Sequence, residues 1–183
     1  RWDNPSNQGV RRDDVDVRRG ELKLDGFMAT NARVYGADFA LRGYLQYFAV
    51  QASWERFFEP RPEIGSTDTL DLFRLRMGPN VFGSMLRDAE VYLLFGGSVM
   101  KGQNAPVAAA DIGIEGRAYP LRPFALYGSA YVSFFAEGPP LLDGRFEGGV
   151  SLGRFDLRGG LRMLKQEPDQ SFFGPTASIT MRF

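Results

Sequence analysis

Residues 177–183 read ASITMRF, and the pattern extends one residue back to Thr176. Ala177, Ile179, Met181 and Phe183 are apolar, while Thr176, Ser178, Thr180 and Arg182 are polar. Strict alternation is the mark of a β-strand with two chemically different faces. Terminal segments of soluble domains usually fray into polar residues. A two-faced strand with an aromatic at its last position therefore asks what its apolar face touches.

The same period-two pattern runs through the chain from Gly20 onward. It predicts strands over 20–30, 34–44, 47–58, 69–78, 89–101, 107–119, 124–136, 144–153, 155–165 and 172–183. Proline placement agrees, because Pro60, Pro62, Pro79, Pro106, Pro120, Pro139, Pro140 and Pro168 fall in the expected connections. Pro123 sits at a strand edge, and Pro175 lies near the start of the last strand. Residues 1–19 differ: they are charged, rich in turn formers and poor in large apolar side chains, which predicts a mobile or peripheral arm. The expected organisation is thus a polar segment over 1–19 and an all-β domain over 20–183.

Bulk composition excludes several classes of function. Lys plus Arg and Asp plus Glu are both 22, so a nucleic-acid partner is not expected. The sequence has no cysteine and no histidine, which removes disulfides, thiolate or imidazole metal sites and every histidine-based catalytic triad. No cofactor is implied, since the GxGxxG and GxxxxGK phosphate-binding patterns are absent. Asp111 and Glu115 share a strand face and have the chemistry for acid–base work, but Arg117 and Arg158 offer ion-pair partners, so a structural pairing is expected and no enzyme. No stretch of about 18 apolar residues is present for a transmembrane helix. The opening RWDNPSNQGV lacks the apolar core of a signal peptide, so export would imply a mature or trimmed form.

Alternation fits two architectures. A soluble barrel or sandwich turns its apolar face inward, whereas a membrane barrel turns it toward lipid and lines its interior with polar groups. Three features favour the second. The polar face mixes opposite charges with Gly, Ser, Thr and Tyr, and it draws on nineteen arginines against three lysines. Arginine suits confined ion pairs because its planar fork satisfies several acceptors at once. Aromatic residues are expected in two girdles, with Trp54, Phe57, Phe58, Phe134, Phe135, Phe172 and Phe173 at one end of the strands. Tyr44, Tyr47, Phe48, Tyr119, Phe124, Phe155 and Phe183 form the other. Finally, strands of about ten residues tilted by about 45° span roughly the apolar band of an outer-membrane barrel.

The run Ile179, Met181, Phe183, on top of these strands, resembles the C-terminal signature of Gram-negative outer-membrane β-barrel proteins. The resemblance implies recognition by the barrel assembly machinery, an outer-membrane location, and contact with the lipid bilayer and lipopolysaccharide. With the ten segments counted above, the expected fold is a closed antiparallel transmembrane barrel of about ten strands. Eight is the alternative, with 20–44 partly outside, because the stretch 79–88 is long for an inner turn. Under this register Arg42, Glu55, Arg74, Arg76, Glu115, Arg117, Glu147, Arg158, Arg162 and Arg182 point inward as a charge network. The expected role is structural, scaffolding or partner-anchoring, with residues 1–19 available to a periplasmic partner. The alternatives are a narrow channel leaning toward anions and a soluble lipocalin-like barrel holding an apolar ligand.

Overall fold

The computed structural model describes residues 19–183 except 46, 64, 84–88, 104, 122 and 167–169. The expected N-terminal arm over 1–19 therefore lies outside the described residues apart from Arg19, which opens the first strand. Ten strands follow in chain order: β1 (Arg19–Met28), β2 (Tyr35–Leu45), β3 (Phe48–Arg61), β4 (Ser66–Gly83), β5 (Ala89–Lys101), β6 (Val107–Ala118), β7 (Phe124–Phe135), β8 (Leu141–Leu152), β9 (Phe155–Gln166) and β10 (Gln170–Arg182). Each pairs antiparallel with its sequence neighbours, and β1 pairs with β10 to close the barrel. Closure leaves no edge, so the strand ladders satisfy one another around the whole circumference.

The eight-stranded alternative is thereby corrected. β1 is held on both sides, with Leu24 opposite Phe39 of β2 and opposite Ile179 of β10. The long inner connection is corrected as well. β4 runs on through Pro79 to Gly83, so only 84–88 remain between β4 and β5. Pro79 pairs with Phe48 on one side, and on the other the ladder to β5 shifts register between Asn80 and Phe82. A residue without an N–H is tolerated beside such an irregularity. Pro60 also lies within a strand, at the far end of β3 opposite Thr67.

At one end of the barrel lie the N-terminus of β1, Phe183 and the connections β2–β3, β4–β5, β6–β7 and β8–β9; this is the turn end. The connections at the opposite, loop end include 29–34 and 136–140. The seam between first and last strands is fastened at both. At the turn end Gly20 and Phe183 exchange backbone hydrogen bonds, at 2.9 and 3.0 Å. At the loop end the Thr30 amide donates to the Phe173 carbonyl at 2.8 Å, and the Phe173 amide donates to Asn31 Oδ1 at 3.0 Å.

Burial is inverted relative to a soluble barrel. Along β1, Glu21, Lys23 and Asp25 are buried, while Leu24 and Met28 are half exposed. Ile112 and Ile114 of β6, Leu157, Leu161 and Met163 of β9, and Ile179 and Met181 of β10 all face out. Buried Asp111, Glu115, Arg117, Asp156, Arg158, Arg162, Ser178 and Thr180 alternate with them. One cross-strand row shows how continuous the apolar surface is: Phe39, Leu24, Ile179, Leu157 and Val150 are successive partners. Toward the loop end Trp54 stacks on Phe73 with ring centroids 6.3 Å apart, and its indole N–H donates to Asp71 at 2.9 Å. An aromatic with one apolar and one polar side is suited to the boundary between hydrocarbon and water.

Candidate functional site

The interior of the barrel is densely charged. Every strand delivers alternate side chains inward, and the polar ones meet both across the lumen and two residues apart on one strand, as Asp156 and Arg158 do. Arg42, Glu55, Arg74, Arg76, Glu115, Arg117, Glu147, Arg158 and Arg162 are all buried on that face, with Arg182 partly buried. They are joined by Asp111, which the sequence places on the strand face of Glu115, and by further residues outside the expected charge network: Arg19, Glu21, Lys23, Asp25, Asp38, Glu90, Asp143, Arg145 and Asp156.

Toward the loop end, Arg162 is clamped between two carboxylates. Its Nε and Nη2 donate to Asp143 at 3.0 and 2.7 Å, and it makes a second ion pair with Glu55. Arg74 bridges the same two acids, 2.9 Å from Asp143 and 3.5 Å from Glu55. In the middle, Lys23 donates to Glu147 at 3.0 Å from 124 residues away, and Arg145 joins Asp25. Glu115 accepts from Tyr44 at 2.8 Å and from Tyr131 at 3.0 Å, and lies 3.4 Å from Arg42. Arg76 pairs with Asp111 at 2.9 Å and lies over the Tyr131 ring, 3.7 Å from its centroid. At the turn end, Arg117 joins Glu21 and Glu90, and Arg182 and Arg158 share Asp156.

Three chemical consequences follow. Asp111 and Glu115, the carboxylates considered for acid–base work, are each held by arginine and hydroxyl donors inside the barrel. Arg158 serves Asp156 rather than either of them. The arginine excess that leaned the channel alternative toward anions disappears once the missed acids are placed, because among the described residues the buried network holds ten basic and ten acidic side chains. Among the described residues no group of three or more acidic side chains is placed to hold a metal.

The aromatic girdles need correction at particular positions. Trp54, Phe124, Phe134, Phe155 and Phe173 face outward and are well exposed, and Phe58 is half-buried on the same face. Phe57, Tyr119 and Phe172 turn inward. Phe57 is buried and Phe172 packs against the same interior cluster, while the Arg182 guanidinium lies 5.9 Å from the Tyr119 ring centre. Tyr44, assigned to the inner girdle, is also interior, donating to Glu115. Neighbours such as 57 and 58, or 172 and 173, cannot share a face on a pleated strand.

The inward series changes character at the loop end on six strands. Asp25 is followed by Phe27, Glu55 by Phe57, Arg74 by Leu72, Ser98 by Met100, Asp143 by Leu141 and Arg162 by Leu164. These apolar residues form a layer inside the barrel, directly above the ionic network: the Arg162 guanidinium lies 5.6 Å from the Phe27 ring centre and 5.7 Å from that of Phe57.

No family model matches the chain, and no curated protein matches it. Among solved structures, it is similar in fold to a major outer membrane protein from Thermus thermophilus, with a TM-score of 0.49 and 8% identity over 91% of this chain and 100% of that one. It is also similar to CdiB from Acinetobacter baumannii, with a TM-score of 0.38 and 11% identity over 85% of this chain and 40% of that one.

Proposed function

We propose that the chain is a non-enzymatic integral outer-membrane barrel whose lumen is shut by ion pairs and whose role is structural, scaffolding or partner-anchoring. The observation that carries this reading is the reversal of burial. Glu21, Lys23, Glu147, Asp156 and Thr180 are 0% exposed, whereas Leu24, Leu75, Leu157 and Leu161 are about half exposed. In water this arrangement would expose a continuous hydrocarbon surface far larger than soluble monomers carry. In a bilayer both faces are satisfied, since lipid meets the aliphatic belt and every ladder hydrogen bond is internal. The soluble lipocalin-like alternative needs the opposite facing.

The closed lumen favours anchoring over conduction. Ten strands enclose a space that long side chains fill, and here arginines and tyrosines cross it at several levels. The terminal strand supports export to the outer membrane, because the alternating Ile179, Met181 and Phe183 lie on its lipid side.

The test is extraction and gel mobility. Partition into the membrane fraction, release only by detergent and faster migration before boiling are expected. A folded, monomeric protein in plain buffer would overturn the proposal.

A further inference from the structure

We propose that the loop-end mouth of the barrel is a binding pocket for a small amphiphile with an apolar body and a cationic or neutral head. The switch from charged to apolar inward residues supplies the floor. Leu72 and Leu164 are 1% and 4% exposed, and Phe57 and Val34 close the sides. Lipid does not explain this layer, because these side chains point away from the bilayer. A seal over the ions beneath would need only close packing. Instead a cavity of about 540 Å³ stays open above the floor, within the range that holds small ligands.

The rim assigns the head group. Glu59 and Asp68 stand at the cavity wall with Thr69 and Gln166; Asp68 is already held by Arg61 at 2.5 Å, which leaves Glu59 as the acid open to a ligand, and none of the described lining residues is a lysine or arginine. A carboxylate or phosphate entering head-outward would meet the Glu59 carboxylate, whereas an ammonium or hydroxyl would find it an acceptor. The shut network below makes this a site of capture at the mouth, and it stands whether or not the lower lumen conducts.

The experiment uses the folded protein, methyl-labelled, in phosphatidylcholine nanodiscs, with dodecylamine and dodecanoate as probes. Dodecylamine should shift the Leu70, Leu72 and Leu164 methyl resonances saturably, while dodecanoate leaves them in place. The lipid-facing methyls of Leu75 and Leu157 report simple partitioning into the bilayer for both probes. Leu70→Trp, which places a ring in the cavity, should weaken dodecylamine binding by about tenfold or more, and Leu157→Trp should not. Inward methyls that stay unmoved, or a Leu70→Trp protein that binds as well as the parent, would overturn the pocket. Equal saturable binding of dodecanoate would overturn the assignment of the head group.

Discussion

Arg162 illustrates how a single residue is committed in this interior. Its guanidinium has Asp143 and Glu55 on one side and two phenyl rings on the other, and its side chain has no exposure. Removing Glu55 alone leaves Arg162 and Arg74 dependent on Asp143. Loss of one partner from a buried pair typically costs about 3–5 kcal/mol, whereas replacing both by well-packed apolar residues is often close to neutral. Glu55→Leu should therefore destabilise the barrel by that order, and Glu55→Leu with Arg162→Met should recover most of the loss. Urea titration in lipid vesicles, read by gel mobility, measures both. On the other face the sign rule reverses. Ile114 and Leu161 look into the apolar belt, so Ile114→Arg or Leu161→Arg should each cost about 2–4 kcal/mol in the same assay.

At the scale of the strand, glycine placement records where a neighbouring backbone comes too close for a side chain. A Cβ on Gly160 would sit 2.0 Å from the Phe146 carbonyl oxygen, and one on Gly149 would sit 2.1 Å from that of Leu157. Both contacts are with cross-strand backbone, which cannot swing away. Gly26, by contrast, has nothing within 4 Å of the same position. Gly160→Ala should then destabilise by about 1–3 kcal/mol through overpacking, and Gly26→Ala should be neutral or slightly stabilising. Differential unfolding of the two variants checks this. The strands themselves are legible in the sequence, since period-two alternation is a local property and lipid on one side with ions on the other enforces it strongly. What escapes is non-local. Glu21 finds Arg117 from 96 residues away, and Arg162 finds Glu55 from 107. No spacing rule links such residues before the barrel is closed. The inward turn of Phe57 and Phe172 escapes because aromatic content speaks for the end of a strand, while facing depends on parity against a neighbour already assigned. The apolar layer at the mouth is hidden for the same reason.

For the whole molecule, the decisive question is whether the ionic network is a wall or a filter. Three levels carry it: Arg162 with Glu55 toward the loop end, Lys23 with Glu147 and Arg145 with Asp25 in the middle, and Arg117, Glu115 and Tyr44 nearer the turn end. With equal numbers of basic and acidic side chains, the network can neutralise itself without mobile ions, and its arginines lie against tyrosine and phenylalanine rings that fill the remaining space. Such a lumen should give no resolvable conductance steps in a planar bilayer. Removing charge in pairs keeps the lumen neutral, although the loss of Glu115 takes the ion-pair partner from Arg42. Glu55→Ala with Arg162→Ala opens only the upper level, and Glu115→Ala with Arg117→Ala only the lower, so neither pair alone should conduct. The quadruple variant thins the network from above and below, leaving Lys23 with Glu147 and Arg145 with Asp25, and should show discrete steps. Conduction by the unaltered protein would make the network a filter and return the chain to the channel class. Silence in the quadruple variant, with its folded gel mobility intact, would place the barrier in the remaining middle ion pairs, the tyrosines and the apolar mouth.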